Sequence, residues 1–180
     1  GLAAVEPELG AIPFAHLNAG IMIRPLDVAL SIPPLEDFAQ GRYRDLMRGN
    51  IDGVVLGLQA LLPGMVRASG GAITLTSSTG GLAPLPFDPV YSLTKHALVG
   101  LVRSMGAAYA SAPVRINAIC PGGFTSDLFP PALHSADSLT PHDVALEVID
   151  LLLRGATGEI RAILKKGQPA VSVGPPSLGQ

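Results

Sequence analysis

The chain alternates short apolar runs with longer segments in which apolar residues recur at helical spacing. Apolar runs of four to eight residues bounded by turn residues are typical of strands covered on both faces, and the longer segments are typical of helices. The predicted strands are Ile12–Leu17, Ala72–Thr76, Val114–Cys120 and Glu159–Leu164. The predicted helices are one that ends near Leu9, then Leu35–Met65, Val90–Ala110 and Pro141–Leu153. This alternation indicates an α/β fold with a parallel sheet.

The stretch from Gly71 to Gly100 contains the residues with the clearest chemistry. Ser78 follows a predicted strand, and Asp88-Pro89 is a helix-start signal. Tyr91 and Lys95 lie four residues apart and therefore share one face of the following helix. A free tyrosine has a pKa of ~10, which a neighbouring ammonium lowers, and this favours proton transfer to or from an alcohol oxygen. The Tyr-x-x-x-Lys pair alone also occurs by chance on ordinary amphipathic helices.

This stretch resembles the active-site segment of the short-chain dehydrogenase/reductase family, which carries a Ser before Tyr-x-x-x-Lys. Further family pieces occur in the family's order. They are Asn18-Ala19-Gly20, Asn50 with Gly53, the pair Ser77-Ser78, and Pro121-Gly122. The resemblance covers the chain from about Leu2 to Lys165. It implies a Rossmann-like three-layer α/β/α fold that forms one N-terminally incomplete domain over residues 1–180.

The resemblance also implies an activity and a set of roles. The expected reaction is hydride transfer between NAD or NADP and a secondary alcohol or ketone substrate. Tyr91 would be the general acid/base, Ser78 would hold the substrate oxygen, and Lys95 would lower the Tyr91 pKa and bind the nicotinamide ribose. Asn50 would lie at a helix kink and support a water relay. The alternative for Asn50 is a surface position on the helix.

The resemblance implies a larger set of cofactor-binding residues. They are Asn18, Ala19, Gly20, Tyr91, Lys95, Pro121, Gly122, Phe124, Thr125 and Ser126. The chain departs from the family pattern at Leu17, where a second Asn is usual, at Phe124, where a smaller aliphatic residue is common, and at Ser126, where a Thr is usual. Residues 124–139 would form the substrate-binding flap; a solvated connection is the alternative.

The family's Gly-rich turn, T-G-x-x-x-G-x-G, does not precede Asn18 in this sequence. We therefore expect the 180 residues to be part of a longer protein. Two alternatives follow from the departures. One is a non-redox relative of the dehalogenase type, which uses Arg where this chain has Lys95. The other is a non-catalytic, degenerate member that acts as an assembly subunit, against which the retained catalytic set argues.

Composition and charge limit the classes of partner and site that the sequence predicts. The net charge of −2 without a basic tract gives no indication of nucleic-acid binding, and no apolar run reaches membrane-spanning length. A single cysteine, Cys120, suits a reducing cytoplasm and is predicted to be a buried structural thiol. The four histidines are scattered, so no metal site is predicted, and His16 is predicted to be a satisfied core histidine. The apolar helices 35–65 and 90–110 predict a homodimer or homotetramer.

Overall fold

The computed structural model describes residues 12–22, 35–123, 125 and 134–175. The helix predicted to end near Leu9 lies outside the described residues. So do two predicted cofactor-binding residues, Phe124 and Ser126, and residues 126–133 of the predicted flap.

The described strands form one sheet with the order β1-β2-β3-β4-β5. The strands are β1 Phe14–Leu17, β2 Gly71–Thr76, β3 Val114–Pro121, β4 Ile160–Ile163 and β5 Val171–Ser172. The first four are parallel, as predicted, and β5 pairs antiparallel with β4. The backbone around β5 bonds to β4, including Val173 N to Ile160 O at 2.7 Å.

The first long helix differs from its prediction over Leu35–Met65. It opens with a separate 3-10 turn at Leu35–Asp37, and helix α1 begins only at Gln40. Helix α1 Gln40–Met47 continues through a π-helical turn, Arg48–Asp52, into α2 Gly53–Arg67. The predicted kink at Asn50 therefore takes the form of a π turn, which often marks a functional position in a helix.

The segment Gln40–Arg67 is 28 residues long and apolar enough to span a membrane by length and composition alone. Its apolar side is used inside the protein. Leu58, Leu61 and Met65 are buried in the same cluster as Ile73 and other residues of the sheet. This burial is what a core helix requires, so the helix gives no evidence of a membrane segment.

Two further helices begin with side-chain caps. Helix α3 spans Pro89–Ala108, and the Asp88 carboxylate accepts a hydrogen bond from Tyr91 N at 2.9 Å. Helix α4 spans Pro141–Arg154 and has a capping box formed by Thr140 and Asp143. The Asp143 carboxylate at the third helical position takes the place of the Glu or Gln that is usual in this motif.

Helices cover both faces of the sheet, which confirms the three-layer α/β/α arrangement. On one face α2 and α3 pack against alternate residues of β2 and β3, including Ile73, Leu75 and Ile116. On the other face α4 packs against Ile119 of β3 and Ile163 of β4. Because β1, β2 and β3 are parallel, the residues that follow them meet at one edge of the sheet, where ligands bind in open α/β folds.

Candidate active site

Ser78 and Tyr91 are brought together by the connection between β2 and α3. The Ser78 hydroxyl accepts a hydrogen bond from Gly80 N at 3.0 Å and interacts with the Tyr91 hydroxyl. The connection is held against α3 by two buried bonds, from Ser92 Oγ to Gly80 O at 2.7 Å and from Ser77 Oγ to Lys95 O at 2.9 Å. The 13-residue separation in sequence is therefore closed by hydrogen bonds on both sides of the pair.

Lys95 lies one helical turn beyond Tyr91, as predicted, and is buried with 2% of its surface exposed. Its Nζ donates to Thr76 O at 2.9 Å and lies 5.4 Å from the centroid of the Tyr91 ring. Burial lowers the Lys95 pKa to about 8. The ammonium is charged at neutral pH and is held between the end of β2 and the aromatic ring.

The sequence analysis expected Lys95 to lower the Tyr91 pKa, and the structure gives the opposite direction. Burial of the phenol raises the Tyr91 pKa to about 12; the Ser78 hydroxyl lowers it, whereas Asp88 raises it further. Lys95 does not offset the burial, since its Nζ lies over the ring and is bonded to Thr76 O. Desolvation, which disfavours the charged form, is the larger effect.

Asn50 is fully buried, which excludes the surface position that the sequence left open. Its side chain accepts from Ile21 N at 2.7 Å and donates to Ile21 O at 3.0 Å and to Thr94 Oγ1 at 3.0 Å. The neighbouring Gly49 allows this approach, because a Cβ there would lie 3.2 Å from the Ile21 side chain. The π turn thus places one amide between the residue after the Asn18–Gly20 turn and helix α3.

The Asn18–Gly20 turn follows β1 and lies beside Lys95. A Cβ added at Gly20 would lie 3.2 Å from Lys95 Nζ and 3.4 Å from Asn50 Oδ1, so a side chain there would crowd both groups. Asn18 Oδ1 accepts from Thr76 Oγ1 at 2.7 Å. The structure therefore brings this predicted cofactor turn into direct contact with the predicted catalytic residues.

Pro121 ends β3, and Gly122 follows it at the same edge. Gly122 N donates to Ile163 O at 2.8 Å, and a Cβ at Gly122 would lie only 2.6 Å from Leu164 O. The close approach of β4 therefore requires glycine here. Thr125 is placed by backbone contacts, with its N donating to Leu139 O at 2.8 Å.

Comparison with known proteins shows the family of the chain. The family model for short chain dehydrogenases matches residues 2–136. The chain belongs to the short chain dehydrogenase family. It is 37% identical over 116 residues to a cis-2,3-dihydrobiphenyl-2,3-diol dehydrogenase of a Pseudomonas species, covering 64% of this chain and 40% of that protein. It is 30% identical over 150 residues to levodione reductase of Leifsonia aquatica, covering 83% and 54% of the two chains.

Solved structures share the fold. A gluconate 5-dehydrogenase from Burkholderia cenocepacia, in complex with NADP and tartrate, superposes with a TM-score of 0.79 at 23% identity, over 91% of this chain and 67% of that one. A 3-oxoacyl-[acyl-carrier protein] reductase from Brucella melitensis with bound NAD gives a TM-score of 0.78 at 25% identity, over 91% and 64% of the two chains. The chain spans about half the length of the curated dehydrogenases and reductases that it matches.

Motif spacing did not identify every residue of this candidate site. Thr76 was assigned only to the strand, yet its carbonyl binds Lys95 and its hydroxyl binds Asn18. Thr94 binds the Asn50 amide and donates to Tyr91 O at 2.7 Å. A threonine within a strand or helix has an ordinary structural role in most proteins, so no sequence signal separates these two from the rest.

Cys120 is buried at the end of β3, as predicted for a structural thiol. Burial raises its pKa to about 11, so the thiol is neutral and a poor nucleophile. Within the described residues, no three side chains of His, Cys, Asp or Glu are grouped as a metal would need.

Proposed function

We propose that this protein is an NAD- or NADP-dependent oxidoreductase that interconverts a secondary alcohol and a ketone. The observation that carries the proposal is the contact between Ser78 and Tyr91 beside the buried Lys95. These groups supply a hydroxyl donor, a titratable phenol and a cation at one edge of the sheet. Family membership supports oxidoreduction in general, and the geometry supports the roles of the three residues.

The hydroxyl groups of Ser78 and Tyr91 would both contact the substrate oxygen. In the reductive direction, the carbonyl oxygen of the ketone accepts a hydrogen bond from Ser78 and receives the Tyr91 proton as the carbinol carbon gains a hydride. In the oxidative direction, the alcohol O–H proton returns to the Tyr91 phenolate and the carbon loses the hydride. Because burial raises the Tyr91 pKa to about 12, the phenol keeps its proton at neutral pH in this structure. The protonated form is the one that serves ketone reduction.

The residues at this edge fit the nicotinamide side of a dinucleotide. Asn18, Gly20, Lys95, Pro121 and Gly122 lie at the ends of neighbouring strands or on α3, and they offer amide and ammonium donors next to a glycine with no Cβ. When bound, the nicotinamide supplies the hydride acceptor or donor. Lys95 would bind the nicotinamide ribose.

Asn50 is proposed to support a proton relay through water toward Lys95. The side-chain amide itself is occupied by Ile21 and Thr94. Its backbone lies in the π turn, where the regular helical hydrogen-bond pattern shifts, and in this proposal the Asn50 carbonyl would bind the water.

Replacement of Tyr91 by Phe tests the proposal. The Tyr91→Phe variant removes one hydroxyl, so we expect it to fold normally and to lose turnover on a panel of secondary alcohols and ketones with NAD(H) and NADP(H). Tyr43→Phe is the matched control, because Tyr43 is 42% exposed and lies on α1. An unchanged kcat in Tyr91→Phe contradicts the mechanism. Halide release from a halohydrin without nucleotide would indicate the dehalogenase-type alternative.

We also propose a homodimer or homotetramer formed through α1–α2 and α3. Both helical segments bury one apolar side in the core and leave other large apolar residues exposed, among them Leu56 at 62% and Leu93 at 51%. Covering such residues with a second copy removes apolar surface from water. A cytoplasmic location is part of the proposal because the sequence has a single cysteine.

A further inference from the structure

His16 makes two hydrogen bonds to β2 that no motif explains. In the parallel register His16 pairs with Thr74. Its Nδ1 lies 2.7 Å from Thr74 Oγ1, and its Nε2 lies 3.1 Å from Thr76 Oγ1. The residue is exposed on β1, so the expectation of a core histidine is wrong, but both ring nitrogens are satisfied by hydroxyls of the neighbouring strand.

The directions of these bonds follow from the number of protons available. The Thr76 hydroxyl has one proton, which it donates to Asn18 Oδ1 at 2.7 Å. The contact between Thr76 Oγ1 and His16 therefore needs a proton from Nε2. In the neutral ring Nδ1 is then an acceptor, and it receives the proton of Thr74 Oγ1. The result is an ordered chain of donors from Thr74 through His16 and Thr76 to Asn18.

We propose that His16 is a positioning residue that orients the Asn18 carboxamide through Thr76 and so sets the geometry of the cofactor turn. The inference rests on the proposed function for the role of Asn18 in nucleotide binding. An Nε2–H donor directed at Thr76 Oγ1 leaves the Thr76 proton with Asn18 as its acceptor. Asn18 Oδ1 is then held, and the rest of the carboxamide is left to meet a ligand.

Thr76 connects this chain of bonds to the reacting groups. Its carbonyl accepts from Lys95 Nζ at 2.9 Å, while its hydroxyl contacts Asn18 and His16. The other end of the same turn is held by Asn50, which binds both backbone polar groups of Ile21. The turn from Asn18 to Ile21 is therefore fastened at both ends, and His16 acts on the end that Asn50 does not reach.

The charge state of the ring agrees with this assignment. Partial desolvation against the sheet lowers the His16 pKa from its usual 6.5, while interactions of the ring with the Thr74 backbone and directly with the nearby Asn18 side chain oppose this shift. The net direction keeps the imidazole neutral at neutral pH, as an acceptor at Nδ1 requires.

Three substitutions separate positioning from mere packing. His16→Gln keeps an amide donor at the position of Nε2, His16→Asn keeps an acceptor at the position of Nδ1, and His16→Leu keeps neither. The measurements are amide hydrogen exchange at Ala19 and Gly20, the ¹⁵N spectrum of His16 in the wild type, and KM for nucleotide against kcat. Because His16 is exposed, none of the three variants is expected to unfold the chain.

We expect the wild-type spectrum to show a neutral ring protonated at Nε2. We expect His16→Gln to behave like the wild type, and His16→Asn and His16→Leu to exchange faster at Gly20. Loss of one hydrogen bond predicts a rise of about two- to tenfold in exchange and in nucleotide KM, with kcat unchanged. Equal exchange in His16→Leu and the wild type, or equal effects of Gln and Leu, overturns the inference.

Failure of the proposed function is recognised separately. In one outcome, no form of the protein transfers hydride, but amide exchange at Gly20 is still faster in His16→Leu and His16→Asn than in His16→Gln. The role of His16 in the turn then stands, and the oxidoreductase assignment does not. If Tyr91→Phe abolishes turnover while the three His16 variants show no difference at Gly20, the assignment stands and this inference is overturned.

Discussion

Replacing Asn50 by Ala tests whether this buried amide holds the cofactor turn. Asn50 is fully buried, and its side chain makes three hydrogen bonds, two to Ile21 and one to Thr94. The substitution removes all three without adding atoms. We therefore expect a loss of stability together with a local change in the turn that ends at Ile21.

The size of the stability loss depends on whether the groups that lose their hydrogen bond to Asn50 find another partner. Three bonds at about 1 kcal/mol each give about 3 kcal/mol of lost unfolding free energy as an upper value. Ile21 is 41% exposed, so water can reach its backbone in the variant, and the Thr94 hydroxyl keeps its bond to Tyr91 O. These two facts lower the expected loss to about 2 kcal/mol.

Urea denaturation of the wild type, Asn50→Ala and Thr94→Val measures this loss. Thr94→Val removes one of the three bonds and keeps the volume, so it is expected to cost less than Asn50→Ala; the double variant should cost less than the sum, because both changes remove the same contact. Amide exchange at Ile21, whose N–H donates to Asn50 Oδ1, should rise in Asn50→Ala only. A loss below about 0.5 kcal/mol with unchanged exchange would refute the reasoning, since an exposed, unbonded Asn gives that result.

Three further predictions concern the same site and its assembly. Gly20→Ala should displace Lys95 Nζ, which would lie 3.2 Å from the new Cβ, and should raise the nucleotide KM severalfold. The control is Gly100→Ala, whose new Cβ meets nothing within 4 Å and which should raise the free energy of unfolding by about 0.5–1 kcal/mol. Equal nucleotide KM values in the two variants contradict this prediction. The ¹³Cε resonance of Lys95, assigned by its loss in Lys95→Met, should titrate near pH 8. Because this pKa lies below the usual 10.5, the contribution of Lys95 to the free energy of unfolding should increase as the pH rises from about 8 to 10.5. An inflection near pH 10.5 would disprove the burial argument. The protein should sediment as a dimer or tetramer, because a second copy would cover exposed apolar residues such as Leu56 and Leu93; a monomer would count against this proposal.

Local sequence signals were sufficient to predict the helices, the strands and most residues of the active-site motif. A helix cap, a strand end and a Tyr-x-x-x-Lys spacing depend on residues close in sequence, so Asp88 and the Tyr91–Lys95 pair were predictable. Helix α1 begins later than predicted because apolar periodicity does not show where a helix starts without a cap signal. The capping box of Thr140 and Asp143 also depends on residues only three positions apart, so it too is a local feature of the sequence.

The amino-acid sequence by itself determined that this is a parallel α/β protein with Ser78, Tyr91, Lys95 and Asn50 as its candidate chemistry, because these features depend on short-range patterns. Tertiary structure alone decided the pKa values of these groups. The rise in the Tyr91 pKa and the fall in the Lys95 pKa come from burial, which is a sum over contacts from β2, β3 and α3. The link from His16 through Thr76 to Asn18 likewise exists only because β1 pairs with β2, 58 residues away in the chain, in a register that places His16 beside Thr74.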